Sequence, residues 1–488
     1  MHWISGNQGR KSALRTWCAF LLLGAGASAQ LASPTSARQS NSSNNNSAPS
    51  FSANQSPFAG SVPEGKATDG TIPLSFKEAI DRGLRNNLGL LLQSDSMLSA
   101  RGTRWKELSE LLPNVDATIG ETVAQQDLAA FGFRFPGIPN VIGPYNYFQA
   151  GINLSQNVFD WHALQRERGA TAGVKAAEFS YKEAREMVVL AVGNSYLMTL
   201  ASAARVETST AQVQTAQALS DKSTDQLNAG VLPAIDAYRA QVELQARQQQ
   251  LIAARNNYAK QKLSLARIIG LPAGQEFSLS DTAPYEPLAA MGMDQALQRA
   301  FASRPDYQAA LAQAEAAGYY RKAAAAEHLP TLGIDGNFGD LGVNPGNSHS
   351  VYQLTGTLKI PIFEGGKAHA DALQAEATLR QTKSQLEDLR GKIDYEVRSA
   401  LLDLQSSAQQ VEVARVSVDL AARTLEQARD RFNAGVTDNL EVVQAQETVA
   451  SANESYISSL YSHNVSKVAL ARAIGYAEEG VKLYLKSK

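Results

Sequence analysis

Two carboxylates stand in matched places along this chain. Asp236 lies six residues after Gly230, and Glu441 lies six residues after Gly435. Each falls near the start of a helix-forming stretch, where the helix dipole favours a carboxylate by about 0.3–1 kcal/mol. Arg239 and Arg431 are close enough in sequence to neutralise them. This chemistry is electrostatic: carboxylates at a constriction attract cations and repel anions. Other candidates fail on spacing. Gly365-Gly366-Lys367 resembles the end of a phosphate loop, but Pro361 replaces its first glycine and Ala368 its Ser/Thr. His162, His328, His349, His369 and His463 form no i, i+4 pair, and Met291 and Met293 alone make no copper site. G-x-S-x-G and H-E-x-x-H are absent. The reading is therefore a non-enzymatic protein, with no catalytic residue, cofactor or resident metal expected. Lys and Arg number 45 against 47 Asp and Glu, so nothing points to nucleic acid.

The first residues have the order of a secretory signal. Arg10, Lys11 and Arg15 give a basic start, Trp17 to Leu23 a short apolar run, and Ala27-Ser28-Ala29 a cleavage site. Thr16 and Trp17 precede the only cysteine, Cys18, where a lipoprotein signal needs small residues, so lipid anchoring is not expected. Residues 1–29 are read as the signal peptide and 30–70 as a disordered Ser/Asn-rich linker. No later segment is read as a long uncharged apolar run. Membrane entry would then require a closed β-barrel.

The remainder is a tandem duplication. Asn228-Ala229-Gly230-Val231 returns as Asn433-Ala434-Gly435-Val436, and Ala266 to Gly270 returns as Ala471 to Gly475, both 205 positions on. Leu112-Pro113 matches Leu329-Pro330, and Ala79 matches Ala296, both 217 positions on. Each half reads as a short helix, two strands, a very long helix, a turn and a medium helix. Proline is absent between Trp161 and Leu232 and after Pro361, which permits uninterrupted helices. Leu386, Leu389, Ile393, Val397, Leu401 and Leu404 form a narrow apolar stripe, the mark of a coiled-coil seam. Each long helix is roughly as long as the short and medium helices together, about 100 Å at 1.5 Å per residue. The two shorter helices should therefore stack end to end along it.

Alternating strands are expected at about 114–124, 145–159, 331–339 and 351–362. Phe148, Ala150, Ile152 and Leu154 alternate with Gln149, Gly151, Asn153 and Ser155, which suits a transmembrane β-strand. Tyr145, Tyr147, Phe159, Tyr352 and Phe363 are placed at the membrane interfaces, and 128–144 outside the cell. Four strands cannot close a barrel. Two chains would give eight, whose interior side chains fill, whereas three give twelve and leave a lumen. The expected fold class is thus an α+β membrane protein with four transmembrane β-strands and long α-helical hairpins per chain, a homotrimer with a 12-stranded barrel on a helical barrel. In such a trimer, Asp236 and Glu441 would approach the axis as acidic rings.

Arg431-Phe432-Asn433-Ala434-Gly435, followed by Leu440-Glu441-Val442-Val443-Gln444-Ala445-Gln446, resembles the tip motif of the TolC-type outer-membrane efflux proteins. Asn228-Ala229-Gly230, Ile235-Asp236-Ala237-Tyr238 and Ala240-Gln241 echo it. The resemblance covers roughly Thr71 to Gly475, with repeats at 71–272 and 293–476. They are joined by an equatorial linker at 273–292 and followed by a tail at 477–488, with hairpin turns at 228–233 and 433–438. It implies an exit duct in the outer membrane with a large periplasmic extension, serving a tripartite efflux or type I secretion system. Its implied partners are outer-membrane lipid, a periplasmic adaptor and an inner-membrane pump of RND, ABC or MFS type. Adaptor docking would use Gly230, Val231, Leu232, Gly435, Val436 and Thr437; the periplasmic gate would use Asp236, Glu441, Arg239 and Arg431. Thr437 stands where some members carry an arginine that helps tie the tip shut. The competing class is a soluble periplasmic coiled-coil adaptor or scaffold, which would share the hairpins but not need paired strands in both repeats.

Overall fold

The structure is a computed structural model that describes residues 57–281, 285 and 291–484. The signal peptide lies outside the described residues, as does the linker up to residue 56. Residues 57–70 do not follow the expectation of a disordered linker. A 3-10 turn at Pro57–Ala59 leads a strap that hydrogen-bonds to the helices of the first repeat: Leu88 N–H to Gly60 O at 3.0 Å and Val62 N–H to Asn86 O at 2.9 Å. Phe58 supplies the apolar contact, lying directly over Gly89.

In the first repeat, β1 (Ile72–Leu74), α1 (Phe76–Asn86) and α2 (Leu88–Ser109) precede β2 (Asn114–Asp127) and β3 (Val141–Phe159). Then come α3 (Trp161–Asn228) and α4 (Ala234–Ile269). After β4 (Phe277–Leu279), the second repeat runs through α5 (Met293–Ser303), α6 (Pro305–Ala325), β5 (Thr331–Asn344) and β6 (Asn347–Lys359). It continues through α7 (Lys367–Asn433) and α8 (Asn439–Ala473), and α9 (Ala477–Tyr484) follows. The single short helix expected in each repeat is two helices. Asn87 breaks the first and caps α2 by accepting from Gly89 N–H. Arg304 breaks the second, ahead of Pro305, which suits a first helical turn. The linker 273–292 contains β4, which pairs in parallel with β1. The tail contains the helix α9.

Each long helix packs against the medium helix of its hairpin and against a short helix beyond it: α3 on α4 and α2, α7 on α8 and α6. The buried face of α7 is a strict heptad. Val397, Leu404, Val411, Val418, Leu425 and Phe432 recur every seven residues, as do Ile393, Ala400, Ser407, Ala414, Ala421 and Ala428. Small residues at the second position let the neighbouring helix approach closely. The largest cluster of buried residues joins Leu74, Phe76, Ile80, Val188, Val192, Tyr196, Leu265 and Ile269. It also revises one expectation. The run from Met187 to Ala204 is uncharged, and α3 contains an 18-residue window apolar enough to span a membrane. Half of that window is buried inside the protein, so its apolar character serves the core.

The four long strands form one antiparallel sheet in the order β2-β3-β5-β6. All four bounds differ from those expected, and the β5–β6 hairpin needs only Pro345 and Gly346 between its strands. Because side chains alternate, register assigns them to faces. Ala117, Ile152, Phe338 and Tyr352 form one cross-strand row; Val115, Leu154, Gly336 and Leu354 form the next. The opposite face carries Asp116, Asn153, Asn337 and Gln353 in line, with Asn153 Nδ2 donating to Asp116 Oδ2 at 2.8 Å. One face is thus apolar and the other polar, and most residues on both are exposed within one chain. Three expected girdle residues move. Tyr145 and Tyr147 have the parity of Asn153 and lie on the polar face, while Tyr352 is mid-strand on the apolar face. Phe159 closes β3, and Phe363 lies beyond β6 and is exposed.

Four repeat-related glycines end helices in the left-handed region: Gly230, Gly270, Gly435 and Gly475. At the tips the surroundings are open, since a Cβ on Gly230 or Gly435 meets nothing within 4 Å. A Cβ on Gly475 would lie 2.7 Å from Arg304 N. Gly435→Ala should therefore cost about 1–2 kcal/mol, the conformational penalty alone, whereas Gly475→Ala adds a backbone clash. Thermal melting followed by circular dichroism in detergent should rank Gly475→Ala clearly below Gly435→Ala.

Candidate functional site

The candidate site is the end of the two hairpins where α3 turns into α4 and α7 into α8. Both long helices stop by the same device. Gly230 N–H donates to Leu227 O at 2.9 Å and Val231 N–H to Gln226 O at 3.0 Å. Gly435 N–H donates to Phe432 O at 3.1 Å and Val436 N–H to Arg431 O at 3.0 Å. This paired bonding satisfies carbonyls that the helix leaves open and requires a left-handed residue at the glycine. The turn then presents Val231 and Val436, 72% and 69% exposed. Leu232 instead packs inward, against a cluster of Leu219, Ala240, Phe432, Val442 and Ala445 drawn from both hairpins.

The carboxylates and arginines singled out in the sequence do meet. Arg239 Nη1 lies 3.0 Å from Asp236 Oδ1, one turn along α4. Arg431 Nη1 lies 2.8 Å from Glu441 Oε1, bridging the end of α7 and the start of α8. Thr437, in place of the arginine of some family members, donates its hydroxyl to Glu441 Oε2. The two carboxylates differ in setting. Asp236 is buried, with a side chain 10% exposed, whereas that of Glu441 is 36% exposed. Glu441 thus offers charge to solvent while Asp236 faces the interior of the chain.

Sequence reading missed the residues that join the two tips. Asn439 is fully buried and donates from Nδ2 to the backbone oxygen of Asp236 at 2.9 Å. Lys222 bonds to Asn433 Oδ1 and stands 5.6 Å from the centre of the Phe432 ring. The available signal was a break in the repeat, since Asn439 falls where the first repeat has Ala234.

Long helical hairpins, together with a sheet apolar on one face and polar on the other, have the build of a membrane-inserted channel protein. The chain belongs to the outer membrane efflux protein family, whose pattern it matches over residues 106–271 and 296–476. It is an exit channel of the outer membrane. Among its relatives, the alkaline protease secretion protein AprF of Pseudomonas aeruginosa is 23% identical over 346 residues, 69% of this chain and 71% of that one. The outer membrane protein TolC of Vibrio cholerae is 22% identical over 382 residues, 76% of this chain and 84% of that one. The CmeC outer membrane channel of Campylobacter jejuni, a crystal structure, superposes with a TM-score of 0.71 at 19% identity, covering 86% of this chain and 92% of that one.

Asn439→Ala should remove the hydrogen bond from Asn439 to the Asp236 carbonyl, which keeps its bond within α4, at a cost of about 0.5–1.5 kcal/mol. Hydrogen exchange should rise at the start of α4 and α8 and stay unchanged around Val188 and Val192. Equal change in both places would contradict a local tie.

Proposed function

We propose that three copies of this chain form a passive exit duct, docked at its helical tips to a periplasmic adaptor and through it to an inner-membrane pump. The observation that carries this reading is the two-faced sheet with open edges at β2 and β6. Backbone groups at an open edge cannot sit in lipid. Pairing β6 of one copy with β2 of the next removes every edge, turning the apolar rows to lipid and the Asn153–Asn337 face to a lumen. Three copies give twelve strands and an open lumen.

The helices favour the same closure. In the hairpin region α3 and α8 lie between α4 and α7, leaving those two at the flanks. On α4, Ile235, Tyr238, Val242, Ile252 and Leu263 keep a heptad register and are exposed. On α7, Tyr395, Leu402, Val413, Val416 and Leu420 are exposed away from the buried heptad face. Helix α4 carries six basic and two acidic residues, while α7 between Tyr395 and Leu420 carries four acidic and two basic. A second copy therefore fits: α4 of one against α7 of the next, with matching period and opposite charge. Light scattering of the detergent-solubilised protein, corrected for detergent, should give three chains; a monodisperse monomer or dimer would sink the duct.

At the tips, exposed Val231 and Val436 beside Gly230, Gly435, Leu232 and Thr437 offer the docking surface. The gate is an acidic ring of Glu441, held by Arg431, with Asp236 and Arg239 joining as the tips move. Such a ring predicts cation selectivity in planar bilayers. Asp236→Asn with Glu441→Gln should weaken that selectivity. Unchanged selectivity and conductance would reduce both carboxylates to helix-terminal residues.

A further inference from the structure

Where α3, the α5–α6 corner, α7, α8 and α9 meet, the protein buries a cluster of charges that the duct does not use. Arg304, 1% exposed, binds Asp306 at 2.6 Å and Glu396 at 2.7 Å, and reaches Ala473 O at 3.3 Å. Arg472 binds Glu183 at 2.6 Å and Glu396 at 3.0 Å. Lys392 stands 3.8 Å from Glu396 at the rim. These cations already have partners. One turn beyond Glu183 on α3 sits Glu186, 8% exposed, with no hydrogen-bond partner for its Oε2.

Among the described residues, the groups facing Glu186 give it no cation of its own. From α8 comes Arg472, held by Glu183 and Glu396, and from the α5–α6 corner come Arg304 and Asp306. From α9 come Glu478, Glu479 and the backbone N–H of Ala477, which donates to Glu186. From α3 itself come Glu178, Lys182, Glu183 and Arg185, and Arg185 is engaged with Glu478 through two bonds of 2.6 and 2.9 Å. The facing residue of α2 is the uncharged Met97. Within the buried cluster, the four carboxylates of Glu183, Glu186, Asp306 and Glu396 thus share the guanidiniums of Arg304 and Arg472 and the rim ammonium of Lys392, while Lys182 is exposed and stands 5.2 Å from the centre of the Phe179 ring. A fourth ionised carboxylate would be buried and unpaired, which is costly.

We propose that Glu186 is a proton-operated latch: protonated, it lets the first residue of α9 dock between the two repeats, and its ionisation loosens α9 from that junction. Burial and the neighbouring Glu183 push the Glu186 carboxyl up to about 7, against the pull of the Ala477 N–H, Arg472 and Arg304. Because the docked form holds the proton more tightly than the undocked form, docking is fully stabilised below the ordinary glutamate range. That stabilisation is lost as pH rises toward about 7 and is constant above. The latch rests on the fold of one chain and stands or falls apart from the trimer.

Hydrogen exchange over 477–484, in the full chain in detergent and corrected for intrinsic rates, reads the latch between about pH 5 and pH 9. In the unaltered protein, protection should fall by up to about tenfold per pH unit toward 7 and then level off. Glu186→Gln should give higher protection with a clearly shallower pH dependence, since burial also raises the neighbouring Glu183. Glu183→Gln, which removes the like charge, should move the levelling to lower pH and decides the matter if the first variant folds poorly. A flat profile in the unaltered protein, an unchanged slope in Glu186→Gln, or an unmoved profile in Glu183→Gln would each overturn the proposal.

Discussion

Backbone hydrogen bonding at the sheet edges is the constraint on which the rest depends. Among the described residues of one chain, β3 and β5 are paired on both sides, but β2 and β6 each present an unpaired edge. Water could satisfy those groups; the hydrocarbon core of an outer membrane cannot. The apolar face cannot be left to water either, since Ile119, Tyr352 and Leu354 are 80%, 83% and 72% exposed in the single chain. Lipid on one face and partner strands at both edges meet both demands. In the proposed trimer, a closed ring of strands would set the spacing of the helices. It also gives a reason for exposed apolar residues on α4 and α7, the two flanks.

The duplication supplies matching architecture with different chemistry at matching places. Gly270 packs on the break at Asn86–Asn87, and Gly475 packs on the break at Ser303–Arg304. In the first repeat that corner is closed by a neutral amide and a strap: Asn87 caps α2 and donates to Phe58 O at 2.7 Å. In the second repeat a guanidinium fills the corner and draws Asp306 and Glu396 around it. The tips diverge likewise, as the buried Asn439 of the second repeat ties down the first. Departures from the repeat thus change what holds a corner or a tip: the strap in the first repeat, an ion cluster in the second, and a tie between the halves at Asn439.

Local features were legible in the sequence and long-range ones were not. Helix lengths followed from proline-free stretches, the coiled-coil seam from period, and the left-handed caps from glycine. The Arg239–Asp236 and Arg431–Glu441 pairs were within reach because few residues separate the partners. The breaks at Asn87 and Arg304 had a local signal, a capping asparagine in one and Pro305 at a first helical turn in the other, but an amphipathic helix of either sequence could also run on, and packing against Gly270 and Gly475 fixes the corners. Tyr145 and Tyr147 were placed by proximity to the strand end, whereas their parity with Asn153 decides their face. The 57–70 segment was read from composition, but Phe58 and Ser61 find partners on helices far away in sequence. The run 187–204 was overlooked because Asn194, Ser195, Thr199 and Ser202 dilute it, although its apolar face is the centre of the core.

Disulfide formation across the proposed seam between copies tests the central claim most directly. A fixed cysteine at Leu354 on β6, combined with single cysteines scanned from Val115 to Val123 on β2, probes whether one copy's last strand lies beside the next copy's first. The account predicts oxidised bands of two and three chains at a limited set of positions, and none larger, because a ring of three is closed. Bands extending beyond three chains, or no cross-link at any position in protein that conducts in bilayers, would contradict it.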